Sequence, residues 1–310
     1  MPSGIKVFAP ASVSNVACGF DLLGFALDHP GDEIIARLSD QPGVRISKIT
    51  GAQHKLPYEP DKNTAGVAAQ KLLAFLGDKA IGIDLELHKK MPIGSGLGSS
   101  AASAVAAVVA VNELLKNPLE KRALLQFAAA GEIVSSGAIH LDNVAPSLIG
   151  GMVLVQKGIE MKAHRLPTPK GLFVAVVHPE VEILTKDARQ MLHPFIPLEK
   201  HVEQSGNLGS LIIGLYQSDL DLIGSALRDV LIEPQRAPLI PYFFEVKNAA
   251  MENGALGCSI SGSGPSIFAL CANSHIAGQC GEAMSRVYRD AQVGFTLYLS
   301  PINQEGAIKC

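Results

Sequence analysis

The sequence predicts an α+β protein of two sandwich-like halves rather than a doubly wound sheet. Several strand candidates near the start follow one another without the crossover helices that parallel pairing demands. The second half reads β-α-α-α-β-α-β, an alternating frame with helices inserted into it. Between the two, Pro167-Thr168-Pro169-Lys170-Gly171 has the composition of a linker, which places the expected domains at 1–168 and 169–310. A chain of 310 residues is long enough for each half to bury a core.

Taken in order, residues 5–9 form a strand candidate that Pro10 should stop. Residues 34–38 and 44–49 are two more, joined by the turn Gln41-Pro42-Gly43. Residues 63–76 place Val67, Leu72, Leu73 and Leu76 at helical spacing and stop at Gly77. Residues 81–88 alternate Ile81, Ile83, Leu85 and Leu87 with polar neighbours, a half-buried strand that leads into a glycine-rich loop. Residues 101–115 are small and apolar on every side, so their helix must be buried. A further helical pattern over 119–136 carries Glu132 inside an alanine-rich face, and Gly150-Gly151 opens a strand over 152–156. Beyond the linker come a strand at 172–177, helices at 206–217, 220–228 and 241–253, a strand at 266–271, a helix at 276–290 and a strand at 294–299.

The formal net charge of −3 gives no general pull toward nucleic acid or an anionic membrane. The longest apolar run, 101–111, is too short to cross a bilayer. Cys18, Cys258, Cys271, Cys280 and Cys310 form no Cys-x-x-Cys pair, so buried thiols are expected instead of a zinc or redox site. Met1-Pro2-Ser3-Gly4-Ile5-Lys6 lacks the apolar core of a signal peptide. The expectation is a cytoplasmic protein with no nucleic-acid or membrane partner.

The most informative stretch is Pro92-Ile93-Gly94-Ser95-Gly96-Leu97-Gly98-Ser99-Ser100-Ala101-Ala102. Its glycines let the backbone take positive φ and approach a ligand closely. A glycine turn feeding a helix start presents unpaired N–H donors and the positive end of the helix dipole, which suits phosphate. No Gly-Lys-[Ser/Thr] closes it, so it is not a Walker A loop. Ser99 stands where a dinucleotide fingerprint needs its third glycine. A plain glycine-rich connection under a buried helix would look similar, with the serines as helix caps. Ser99 or Ser100 could equally offer hydroxyl oxygen to Mg²⁺, which favours hard oxygen ligands. Glu132 is a charge in apolar surroundings and needs either a salt-bridge partner or a divalent cation.

A second cluster, Gly257-Cys258-Ser259-Ile260-Ser261-Gly262-Ser263-Gly264-Pro265, lies far along the chain. Together the two resemble the first and third motifs of the GHMP kinases, whose pattern Pro-x-x-x-Gly-Leu-Gly-Ser-Ser-Ala falls on residues 92–101. Two turns narrow the resemblance to the homoserine kinase branch: residues 10–24, with Asn15, Gly19, Phe20 and Asp21, and residues 136–146, with His140, Asp142 and Asn143. Thr185-Lys186-Asp187-Ala188-Arg189 and Glu233-Pro234-Gln235-Arg236 match as well. The resemblance covers nearly the whole chain. It departs at Met191-Leu192-His193-Pro194-Phe195-Ile196-Pro197-Leu198, where the family has a leaner turn beside Arg189.

The resemblance implies the two-domain GHMP kinase fold, an N-terminal half like ribosomal protein S5 domain 2 and a ferredoxin-like C-terminal half with inserted helices. It also implies a homodimer. ATP would be the co-substrate, cradled by residues 92–102, with Asn63 at the nucleobase unless that residue only caps its helix. Ser99 and Glu132 would hold Mg²⁺. L-homoserine would be the acceptor, giving O-phospho-L-homoserine on the way to threonine. Its carboxylate asks for the guanidinium forks of Arg189 and Arg236, and its ammonium for Asn15 and Asp21, with Asp142. His140 and Thr185 would line the same pocket, and the backbone at Gly262 would approach substrate or phosphate. Asn143 would orient the hydroxyl for direct in-line transfer, unless Asp142 acts as a base. Local turn geometry for Asn15 and Asp21, surface exposure for the arginines and a structural role for His140 compete with these roles. A family member acting on mevalonate, a sugar or shikimate, or a nucleotide-binding protein without turnover, would share most of the pattern.

Overall fold

The computed structural model describes residues 4–52, 55–77, 80–116, 118–156, 158 and 161–310. The first half runs β1 (Ile5–Ser14), β2 (Leu23–Ser39), β3 (Gly43–Thr50), α1 (Thr64–Leu76), β4 (Gly82–His88), α2 (Ser99–Leu114), α3 (Leu125–Ser136), α4 (Leu141–Ile149), β5 (Met152–Gln156) and β6 (Lys162–Leu166). The second runs β7 (Phe173–Pro179), α5 (Thr185–Gln190), α6 (Leu198–Gln217), α7 (Leu220–Ala226), α8 (Glu233–Arg236), α9 (Phe243–Glu252), β8 (Gly257–Ile260), β9 (Ile267–Cys271), α10 (Ser274–Asp290) and β10 (Phe295–Pro301). A short β11 (Ile308–Lys309) then returns to pair with β1. One sheet has the order β11-β1-β2-β4-β3, with β5 on β2 and β6 on β5; the other is β10-β7-β9-β8. β3 and β4 pair in parallel, and α1 crosses between them.

Several elements differ from expectation for local reasons. β1 runs through Pro10, because its register with β2 shifts between Pro10 and Ser12 and a residue lacking N–H is tolerated at such an irregularity. β2 is 17 residues long and pairs with β1, β4 and β5; Asp28-His29-Pro30 hides its continuity in the sequence. α4 forms around Pro146, which reads as a break. Gly24 lets α4 close against β2, since a Cβ there would lie 1.8 Å from the Asp142 carbonyl oxygen. α6 starts at Leu198, eight residues earlier than its apolar spacing suggests, behind an N-cap at Pro197. The pattern over 119–136 divides into a 3-10 turn, Lys121–Leu124, and α3.

α2 is buried on every side from Ala101 to Asn112, as an all-round apolar helix must be. It lies across β1 and β2 and against α1, α3 and α4, and its alanines let those neighbours come close. The second sheet has two apolar faces. On one, Val174, Val176, Phe268 and Leu270 join the core of the first half. On the other, Ala175, Val177, Ile267, Ala269 and Cys271 pack with residues of α9 and α10. Phe25 and Phe268 meet edge to face at 5.9 Å across the seam. Cys18, Cys258, Cys271 and Cys280 are buried free thiols. No helix among the described residues is long and apolar enough to cross a membrane.

Candidate active site

Both glycine-rich segments meet at the seam of the two sheets. Ser261 Oγ donates to the Gly96 carbonyl at 2.7 Å, and the Ser266 N–H donates to the Ser95 carbonyl at 3.2 Å. Gly96 and Gly98 have φ of 76° and 66°. A Cβ on Gly96 would fall 2.4 Å from the Ser261 carbonyl oxygen, and one on Gly98 2.2 Å from Ser12 Oγ. Glycine is therefore demanded twice, by conformation and by close approach. Gly98 is the N-cap of α2 and brings no side-chain cap, so the helix starts with N–H groups available to a ligand. The loop and this first turn wall one side of a cavity of about 520 Å³, a usual size for a small-ligand site. Ser95 Oγ, buried on that wall, has no hydrogen-bond partner among the described residues.

Ser99 opens α2 but caps nothing: its hydroxyl donates to Asp32 Oδ2 at 3.0 Å. Asp32 is buried on β2 and pairs with Lys89, also buried. Its other oxygen accepts the Lys90 N–H at 2.8 Å and the Met91 N–H at 3.3 Å. Lys89 Nζ donates in turn to the Ser99 carbonyl at 2.8 Å and to Ser103 Oγ at 2.6 Å. One carboxylate thus ties the two ends of the loop together. With its proton given to Asp32, Ser99 Oγ keeps its lone pairs for another partner. Glu132, on α3, lines the same cavity and is 4% exposed. Burial pushes its carboxyl up to about 7, against the opposing hydrogen bond from Ser100 and the charge of Lys89. A carboxylate so poorly solvated, lining the same cavity as a serine oxygen whose proton is committed elsewhere, is a donor set that fits a hard divalent cation.

The opposite wall is a strained turn between β1 and β2. Asn15, Val16, Ala17 and Asp21 have φ of 71°, 43°, 55° and 58°, left-handed values that side chains other than glycine seldom adopt. Asn15 holds it, its Oδ1 accepting the Asp21 N–H at 3.0 Å and its Nδ2 donating to the Gly262 carbonyl at 2.7 Å. Asp21 Oδ2 accepts from Arg189 Nη2 at 2.5 Å. Arg236, 4% exposed, donates to the Gly262 carbonyl at 2.9 Å and the Ala188 carbonyl at 3.4 Å. Burial holds the Arg236 guanidinium below its usual value, with the charge of Asp21 opposing. Both guanidiniums sit over the Phe20 ring, Arg189 at 5.9 Å and Arg236 at 5.2 Å from its centroid. Neither arginine is a surface residue without a task, and a buried cation such as Arg236 favours an anionic ligand.

His140 is the N-cap of α4, and Asp142 and Asn143 lie in its first turn. Ligating atoms of Asp21, His140 and Asp142 come within 4.8 Å of one another. Ser12 Oγ donates to Asn143 Oδ1 at 2.8 Å, holding that amide beside the loop.

The cavity gathers Asn15, Asp21, Ile93, Gly94, Ser95, Gly96, Gly98, Ser99, Ser100, Glu132, His140, Asp142, Asn143, Arg189, Arg236 and Gly262. Leu97, Ala101 and Ala102 are instead buried beneath the loop, and Pro92 stands outside the lining. Asn63 lines the cavity while capping α1: its Oδ1 accepts the Ala65 N–H at 3.1 Å and its Nδ2 donates to the Pro57 carbonyl at 2.9 Å. Thr185 opens α5, but its side chain lies outside the described residues. Sequence reasoning missed Ser12, Phe20 as a platform, Asp32 and Lys89. Lys89 carried a usable signal, because the period of β4 puts it in phase with Ile83, Leu85 and Leu87 on the buried face.

The family described as GHMP kinases N terminal domain matches residues 63–151, and GHMP kinases C terminal matches residues 211–290. The chain is similar to a homoserine kinase of Chlorobium phaeobacteroides, 46% identical over 314 residues that cover 98% of each chain. It is 45% identical to a homoserine kinase of Chlorobaculum tepidum, over 97% of this chain and 96% of that one. A crystal structure of homoserine kinase from Cytophaga hutchinsonii superposes with a TM-score of 0.97 at 50% identity, covering 100% of this chain and 98% of that one.

Proposed function

We propose, since this chain belongs to the GHMP kinase family, that it transfers the terminal phosphoryl group of ATP to the side-chain hydroxyl of L-homoserine. The product is O-phospho-L-homoserine, an intermediate toward threonine. The observation that carries the acceptor is the pairing, in one cavity, of a phosphate-suited loop with a wall of two guanidiniums and acidic oxygens. The loop N–H groups, Ser95 Oγ and the start of α2 suit the phosphates. Arg236 and Arg189 suit a carboxylate, and Asp21 and Asn15 suit an ammonium. Mevalonate and sugars have no ammonium for the acidic oxygens of Asp21 and Asp142 to accept.

Transfer is direct and in line, with no phosphoenzyme. Ser99 and Glu132 would hold Mg²⁺, which when bound supplies charge neutralisation on the phosphate oxygens. Asn143, fixed by Ser12, orients the attacking hydroxyl, and the backbone donors of the loop stabilise charge spread over the transferring group. A homodimer belongs to the same proposal, and sedimentation of the purified chain checks it.

Coupled ADP-release assays over homoserine, mevalonate, galactose and shikimate test the acceptor. Homoserine should dominate; preference for an acceptor that is not an amino acid removes the reading. In the same assay Asn143→Ala should lower kcat by about 10²–10³. A far larger loss in Asp142→Asn would assign Asp142 as a base instead.

A further inference from the structure

We propose that Gln204 is a positioning residue for the acceptor: from outside the cavity, its amide fixes the β1–β2 turn against the segment that leads into α8, and so sets how Phe20 and Arg236 face each other. The inference rests on the kinase reading above and adds to its acceptor side a residue that acts without lining the cavity.

Gln204 is a polar residue at an apolar position. On α6 it falls in phase with Leu208, Leu211 and Leu215, the face turned to the interior, and it is 8% exposed. An amide buried there needs partners, and it has them on two segments. Its Nε2 donates to the Cys18 carbonyl at 3.2 Å and to Asp229 Oδ1 at 3.0 Å, and its Oε1 accepts the Val230 N–H at 2.9 Å. Both amide hydrogens are thereby used, one on each half of the chain.

Each segment leads directly to a residue of the acceptor wall. Cys18 lies in the strained turn that carries Phe20 and Asp21. Asp229 fixes the start of α8: its Oδ1 accepts the N–H groups of Leu231 and Ile232, and its Oδ2 that of Glu233, all at 2.9 Å. Arg236 closes the next turn, its N–H donating to the Ile232 carbonyl at 3.0 Å, and its guanidinium lies 5.2 Å from the Phe20 centroid. A slide of the turn against this segment therefore moves Phe20 past Arg236. Gln204 and Asp229 stand outside the cavity lining, so they act on a ligand only through these two residues and their neighbours. The loop between β4 and α2 is tied separately, through Asp32 and Ser261. Loss of the Gln204 bridge should accordingly be felt by the acceptor and not by ATP.

Gln204→Met keeps the length of the side chain and removes its hydrogen bonds. On the full chain it should raise KM for the acceptor about tenfold while kcat and KM for ATP stay within about twofold of wild type. The Kd of L-homoserine, measured without nucleotide by ligand-observed NMR, should rise with that KM. Asn112→Leu separates positioning from plain loss of stability. Asn112 is likewise a buried amide outside the lining, donating to the Leu119 carbonyl at 3.0 Å and accepting its N–H at 3.2 Å. Its loss should lower the melting temperature and leave the acceptor KM where it was. An acceptor KM within about twofold of wild type in Gln204→Met overturns the proposal. So does an equal rise in KM for ATP, or an equal rise in acceptor KM in Asn112→Leu. Thermal melts check folding. If Gln204→Met does not fold, Gln204→Glu takes its place, since it keeps an oxygen for the Val230 N–H and sets a second carboxylate against Asp229. Wild-type turnover of L-homoserine is the separate control: its failure removes homoserine as the acceptor, whereas the KM split is read with whichever acceptor the four-substrate assay selects.

Discussion

A carboxyl pushed up to about 7 by burial makes Glu132 a titrating group near neutral pH. The folded chain then holds this proton more tightly than the unfolded chain, whose carboxyl titrates at its ordinary 4.5. Stability from this group is complete below 4.5 and is lost as pH rises through 7. Glu132→Gln should therefore stabilise the ligand-free protein at pH 8 by an amount on the order of 3 kcal/mol, and by almost nothing at pH 4.5. Thermal unfolding at the two pH values measures it, and a gain independent of pH would refute the assignment. Glu132 was legible in the sequence, as a lone charge in an alanine run. Asp32 was not, because its partners Lys89 and Ser99 are 57 and 67 residues away and nothing local marks it. Ser12 was hidden similarly, its partner Asn143 being 131 residues distant.

Among the elements, the loop between β4 and α2 is held from two directions. Asp32 ties its ends, and the turn after β8 closes over its middle through Ser261 and Ser266. Gly96→Ala would place a methyl against the Ser261 carbonyl at a positive φ, so the loop and that turn must part. We expect a loss of about 1–3 kcal/mol in denaturant titrations and a drop of about 10² in kcat/KM for ATP. An unchanged kcat/KM would show that the cradle tolerates displacement. Strand, loop and buried helix were readable here because period, glycines and small apolar residues all agree. α4 was not, since Pro146 contradicts a helix and only the tertiary packing at Gly24 reveals it. β8 is four residues long with a single β-branched side chain, too little for periodicity to register.

At the scale of the whole molecule, the second sheet is a wall shared by both cores. Val174, Val176, Phe268 and Leu270 belong to the core of the first half, although the chain reaches them only after β6. Phe268→Ala should lower stability by about 3–5 kcal/mol and move a single calorimetric transition, because both halves lose the same support. Two separated transitions would show that the halves unfold independently. Alternation within the second half is visible in the sequence, but the interior that each face of β7 and β9 joins is not.

That shared wall restricts how acceptor choice could be re-engineered. Arg189 and Arg236 come from the later half, while Asp21 and the loop between β4 and α2 come from the earlier one. A chimera that grafts a foreign C-terminal portion would import new arginines and also the apolar face of β7 and β9 that meets Phe25. Recombination at the linker should yield insoluble protein unless Phe25 and its neighbours travel with the graft, so retuning by point substitution at the seam is the shorter route.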